Sequence, residues 1–141
     1  MKIRNMQLKS IEARRYTKLN ERPQKIRIDH NSNITNMQDE KKGEAIIDFQ
    51  YTASYGSVGV IKIEGQLIYE NKDAKQISNE WNDKRKIPDE IASNLHTAIM
   101  HACVPEAVGI AKDLALPPPI PLPQVHLGNK PTKSQSGPEV T

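Results

Sequence analysis

The chain has 141 residues, a net charge of +3, and is 36% hydrophobic and 26% charged. That length suits one domain with a real core. Aromatics are only 4%, against base-stacking nucleic-acid modules, and the single Cys103 excludes an internal disulfide framework and a cysteine-built metal site. No apolar run reaches the length of a bilayer span, so no membrane insertion is expected. The opening MKIRNMQLKS has no apolar stretch after its charges, so no secretory signal is expected and a cytoplasmic home is the default. Charge is uneven: residues 1–42 hold eleven Lys/Arg against five Asp/Glu, and residues 43–141 hold nine against twelve. The basic third, around Arg14, Arg15, Lys18, Arg22, Lys25 and Arg27, reads either as a nucleic-acid footprint or, more simply, as solvated strand surface.

In chain order, residues 2–17 read as a strand. Met6 and Leu8 share one parity, then Ile11 and Ala13 continue on the other, which predicts a bulge or bend. Asn20 to Pro23 read as a turn. Ile26, Ile28 and Ile34 give a weaker second strand interrupted by the polar HNSN, and residues 36–43, NMQDEKKG, read as a polar turn. The third strand is clearer. Ala45, Ile47, Phe49, Tyr51, Ala53 and Tyr55 alternate with polar residues. Gly56 can turn the chain with a positive φ. In the fourth strand Ile61, Ile63, Leu67 and Tyr69 alternate with Lys62, Glu64, Gln66 and Glu70, and Gly65 leaves a gap on the apolar face for a neighbour to fill. Four successive strands joined by short turns predict an antiparallel sheet with one covered face.

The period then changes. Asp73 and Gln76 read as a capping box for a helix with Ala74, Ile77 and Trp81 on one stripe. Pro88, Asp89 and Glu90 open a second helix, in which Ile91, Leu95, Ala98, Ile99 and Ala102 form the expected buried stripe. Pro105 either kinks this helix or starts another, and Val108, Ala111 and Leu114 extend the stripe. The segment LPPPIPLP (116–123) should be extended and polyproline-like, touching the rest through Leu116, Ile120 and Leu122. The expected domain spans residues 1–125, and residues 126–141 read as a polar, disordered tail.

This order resembles the SecB export-chaperone family, in particular its divergent SecB-like branch. The opening IRNMQLKSIEA, the strand pair EAIIDFQYTA and VIKIEGQLIYE, and the helix exit EAVGIAKDLALPPPIPL carry the resemblance, over roughly residues 3–125. It implies an α+β fold, a four-stranded antiparallel sheet with helices on one face. It implies dimers or dimers of dimers with the long helices between the sheets. It also implies a non-enzymatic, ATP-independent holdase that binds unfolded polypeptides in hydrophobic grooves. Clients would be preproteins for export or, in some SecB-like members, the antitoxin of a toxin–antitoxin module. Two features depart from the export pattern: the basic N-terminal third, and a polar tail where a second C-terminal helix is normal. Both argue against docking to the translocation motor.

The residues support such a reading independently. A one-layer sheet under one main helix leaves apolar surface for a partner. A holdase needs apolar surface that stays accessible. The candidate groove combines Met6, Leu8 and Ile11 as floor with Leu116, Ile120 and Leu122 as wall, and the candidate oligomer interface is Ile91, Leu95 and Ile99. Rival chemistry is weaker. His96 and His101 are five residues apart and do not share a helix face, and His101 and Cys103 point away from each other, so neither a metal site nor a thiol nucleophile is expected. A buried, inert thiol is the simpler reading of Cys103. The strand carboxylates read as a solvated face rather than an acid–base pair, and the prolines as a structural crossover rather than an SH3 ligand. No cofactor and no metal are expected.

Overall fold

The computed structural model describes residues 2–21, 23 and 25–120. The expected tail and Leu122 lie outside these residues. The elements in order are β1 (Lys2–Arg15), β2 (Asp29–Asp39), β3 (Glu44–Ser54), β4 (Gly59–Glu70), α1 (Ala74–Lys84) and α2 (Asp89–Asp113). The strands form one antiparallel sheet, and both helices pack on it, an α+β architecture.

The pair β3–β4 is the centre of the sheet. Its alternation is realised without a slip: Ala45, Ile47, Phe49, Tyr51 and Ala53 on β3 are buried, as are Ile61, Ile63, Leu67 and Tyr69 on β4. Burying each large side chain contributes about 1.5–3 kcal/mol before ordering costs are counted. The gap at Gly65 is filled as expected: a Cβ there would lie 2.6 Å from Phe49 Cζ and 2.5 Å from the Gln7 carbonyl oxygen. Gly56 turns β3 into β4 at φ 63°.

The strand order is β1-β4-β3-β2, which corrects the expectation of four strands joined in succession by short turns. β1 pairs with β4, and the connection through residues 16–28 carries the chain from one sheet edge to the other. Ile26 and Ile28 belong to this crossover, where they pack against the core. β2 begins later than expected, runs through the polar HNSN and ends at Asp39, so only its exit forms the turn. Its inward positions are occupied by hydrogen-bonding side chains, which hid the alternation. His30 Nδ1 lies 2.8 Å from Tyr51 Oη, and Ser32 Oγ bonds His96 Nδ1. A bulge between Ile34 and Asn36 then turns Met37, 1% exposed, into the core. The bend expected in β1 is present as two register shifts, at Arg4/Gln7 and Leu8/Ser10, with Asn5 at φ 55°.

On α1, Ala74, Ile77 and Trp81 are buried as expected, but the Asp73 side chain makes no capping hydrogen bond. Asn71 does that work instead: its Oδ1 accepts from the Asp73 amide and its carbonyl from the Ala74 amide. α2 is continuous through Pro105, with Asp89 and Glu90 in its first turn. Its buried stripe is Leu95, Ile99, Cys103, Ala107 and Ala111, rather than the expected set containing Ala98, Ala102 and Val108, which are half-buried. The last three members of the stripe are small. They let the helix come close to the sheet where the large Tyr51 lies near Cys103.

Candidate functional site

Among the described residues, five large hydrophobic side chains stand out of the folded surface: Leu8 at 37% exposure, Ile11 at 49%, Tyr16 at 56%, Leu19 at 75% and Ile120 at 40%. All lie on β1, on the chain leaving it, or on the chain leaving α2. Leu8 pairs with Gly65 and Ile11 with Ile63, so both face the helix side of the sheet, as cross-strand partners must. They are exposed because β1 is an edge strand that the helix layer leaves partly open. From Leu8 to Tyr16 the extended chain covers about 25 Å, roughly the span of eight residues of an extended polypeptide.

The expected groove residues divide accordingly. Leu8, Ile11 and Ile120 are accessible, Met6 is half-buried against the core, and Leu122 is outside the described residues. Leu116 is a correction. It is 5% exposed, with Cδ1 3.3 Å from where a Gly59 Cβ would be, so it anchors the proline segment rather than lining a groove. Pro119 is fully buried, and Tyr55 Oη donates to the Pro117 carbonyl at 2.6 Å. The segment is thus docked as a structural crossover through Pro119, with Ile120 turned out. Tyr16 and Leu19 continue no apolar alternation, and sequence reading missed them; their only signal was their size among polar neighbours, Tyr16 at the end of the expected strand and Leu19 just beyond it.

The expected oligomer interface also changes. Leu95 and Ile99 are 0% exposed within a single chain, occupied by its own sheet, so they are core residues. Ile91 is half-buried.

Charge at the far end of β1 is organised by Arg4, which pairs with both Glu44 and Glu70. Those two carboxylates sit directly opposite each other on β3 and β4 and would repel without the guanidinium. The hydrogen bond from Arg4 holds the Glu70 carboxyl below the ordinary glutamate value. At the other end, Arg15 donates to the carbonyls of Leu114 and Ala115, where α2 terminates. Arg27 pairs with Asp29.

Elsewhere among the described residues, several chemistry-bearing groups are buried or bonded within the fold. Cys103 is fully buried, and burial, then the charge of Glu106, pushes its thiol up to about 11. Burial likewise pushes the Tyr55 hydroxyl up to about 12. His96 bonds Ser32 across the β2–α2 interface, while His101 is exposed. Among the described residues no cluster of His, Cys, Asp and Glu is placed to hold a metal ion, and no helix is long and apolar enough to cross a membrane. The arrangement offers reversible apolar contact along one edge.

No protein-family model and no curated protein sequence matches the chain. Among solved structures it is similar to the SecB-like chaperone Rv1957 of Mycobacterium tuberculosis, solved in complex with a ChAD peptide from the Rv1956 HigA1 antitoxin. The TM-score is 0.55 at 12% identity, over 83% of this chain and 82% of that one. The likeness establishes a SecB-like fold.

Proposed function

We propose that this SecB-like fold serves an ATP-independent holdase that binds non-native polypeptide along the β1 edge. The observation that carries the reading is that, among the described residues, the five exposed large hydrophobics all lie on β1 and the two chain segments beside it. An extended client laid along this edge would bury its apolar side chains against Leu8, Ile11, Tyr16 and Ile120, and main-chain contacts would tolerate varied sequence. No covalent step and no cofactor are involved. The protein acts as a binder and not an enzyme, in the cytoplasm, on preproteins bound for export or on a dedicated antitoxin. The antitoxin peptide held by the structural neighbour supports the second client class.

Self-association is part of the proposal. Glu106 is the only Lys, Arg, Asp or Glu between Ile91 and Ala111. The outward side of α2 therefore presents Thr97, His101, Pro105 and Gly109, flanked by half-buried Met100, Val104 and Ile110, a face suited to a second copy. Light scattering should give a dimer or tetramer mass.

The nucleic-acid reading of the basic third loses part of its basis, since Arg4, Arg15 and Arg27 are engaged within the chain. The deciding experiment dilutes a chemically denatured, unrelated protein into buffer with and without stoichiometric amounts of this one, without nucleotide, at low and moderate salt. Suppressed aggregation at both salts is the expected result. Suppression lost at moderate salt would point instead to charge-driven binding. Suppression confined to one antitoxin would narrow the function to a dedicated chaperone.

A further inference from the structure

Arg15 ends β1, on a stretch whose basic residues suggest a charged surface, yet its guanidinium is turned inward on the backbone. Nε donates to the Thr17 carbonyl at 3.1 Å. Nη1 donates to Leu114 O at 3.4 Å and Ala115 O at 2.6 Å. Nη2 donates to Lys18 O at 3.1 Å and Glu21 O at 3.0 Å. A guanidinium has five N–H donors in a fixed fork, and each here meets a carbonyl. The five acceptors belong to two segments about a hundred residues apart in sequence, the loop after β1 and the exit of α2. The loop side is further shaped by Glu21, whose Oε1 accepts from the Lys18 amide at 2.7 Å. The helix side offers carbonyls at the negative end of the α2 dipole, with Ala115 in the left-handed region at φ 53°.

These two segments carry Tyr16 and Leu19 on one side and Ile120 on the other. We propose that Arg15 is the positioning residue of the polypeptide-binding edge, locking the loop of Tyr16 and Leu19 against the α2 exit that carries Ile120, so that the three side chains are presented as one preformed surface. This rests on the holdase reading and adds its pre-organisation. Arg15 touches no client; it acts through the segments it holds. A lysine would keep the charge near the helix terminus but could not span both segments with three donors on one nitrogen.

The test uses the full chain with Arg15→Lys and Arg15→Gln. Arg14→Gln serves as the exposed-charge control, and Ile63→Val as a core variant that lowers Tm without touching the clamp. Binding to reduced, carboxymethylated α-lactalbumin, a permanently unfolded probe, is measured by titration well below every Tm. Amide hydrogen exchange is measured alongside. Both Arg15 variants should bind about tenfold more weakly, as when the competent arrangement is populated about a tenth of the time. Exchange should quicken together at Lys18, Glu21, Ala115 and Leu116 while Ile47 and Ile63 stay protected. Arg14→Gln and Ile63→Val should bind as the unaltered protein does. Loosened segments with unchanged affinity would overturn the positioning role and leave the holdase reading standing. Loosening of one segment alone would overturn the clamp. No binding by the unaltered protein would overturn both, and weaker binding by Arg14→Gln equal to that of Arg15→Gln would reduce the effect to charge. Should Arg15→Gln fail to fold, Arg15→Lys decides.

Discussion

The β3–β4 seam and the β1 edge belong to one sheet and treat apolar side chains in opposite ways. On the seam every inward position is sealed, from Ala45 through Tyr69. On β1 the same face of the sheet leaves Leu8 and Ile11 more than a third exposed, although their partners Gly65 and Ile63 are buried. Position in the sheet, not residue type, decides which isoleucine is core and which is surface. A fold can therefore keep a sealed centre and an exposed apolar edge within one sheet. The seam supplies the stability that lets the edge remain uncovered.

That contrast can be broken most severely from the core. Ile99→Asp places an unpaired charge at a fully buried site on the sheet-facing stripe of α2, and should cost about 3–5 kcal/mol, read by chemical denaturation followed by circular dichroism. An unchanged midpoint would mean the helix does not seal the sheet. Next comes Gly65→Ala. The added methyl meets the Phe49 ring and the Gln7 carbonyl, and should cost ~1–3 kcal/mol. Combining it with Phe49→Leu should recover only the part due to the ring, because the Gln7 backbone cannot retreat without breaking the β1–β4 ladder.

A smaller effect follows from Cys103. Its folded value is raised, so the neutral thiol contributes stability that is complete below the unfolded value of 9.0 and is lost as pH rises through about 11. Thermal midpoints measured from pH 8 to 10 should fall, and Cys103→Ala should flatten that part of the slope; an identical slope in both would assign the alkaline loss to other groups. The smallest change in stability is expected at the edge itself. Leu8→Asp with Ile11→Asp should move the unfolding free energy by no more than about 0.5 kcal/mol per site while abolishing aggregation suppression. A large stability loss there would show that β1 is buried by a second copy in solution.

The seam was legible because period-two alternation is a local property, written in Ala45 to Tyr55 and Ile61 to Tyr69. The bulge in β1 was legible for the same reason, as a change of parity between Leu8 and Ile11. β2 was obscured because His30 and Ser32 face inward and satisfy themselves with Tyr51 and His96, so polar residues stand where apolar ones were sought. Strand order was illegible because pairing of β1 with β4 is a long-range choice with no local mark. On α2, Leu95 and Ile99 were correctly sensed as buried but assigned to a partner rather than to the chain's own sheet. Of the expected groove residues, Leu8, Ile11 and Ile120, picked out by pattern, are exposed. Leu116 differs from Ile120 only in what it lands on, the Gly59 backbone, and no sequence pattern reports that. Arg15 looked like surface charge because its partners are carbonyls, which every residue possesses.

The crossover of residues 16–28 also sets the order in which the protein can be assembled. β2, β3 and β4 pair with their neighbours in sequence and can close as successive hairpins, whereas Lys2 must await Glu70. At roughly 5–20 residues per second, β1 leaves the ribosome several seconds before β4, the strand it pairs with, is made. Through that interval its apolar side chains are bare on a nascent chain, and the ladder that finally captures them is the high-contact-order, slow step of folding.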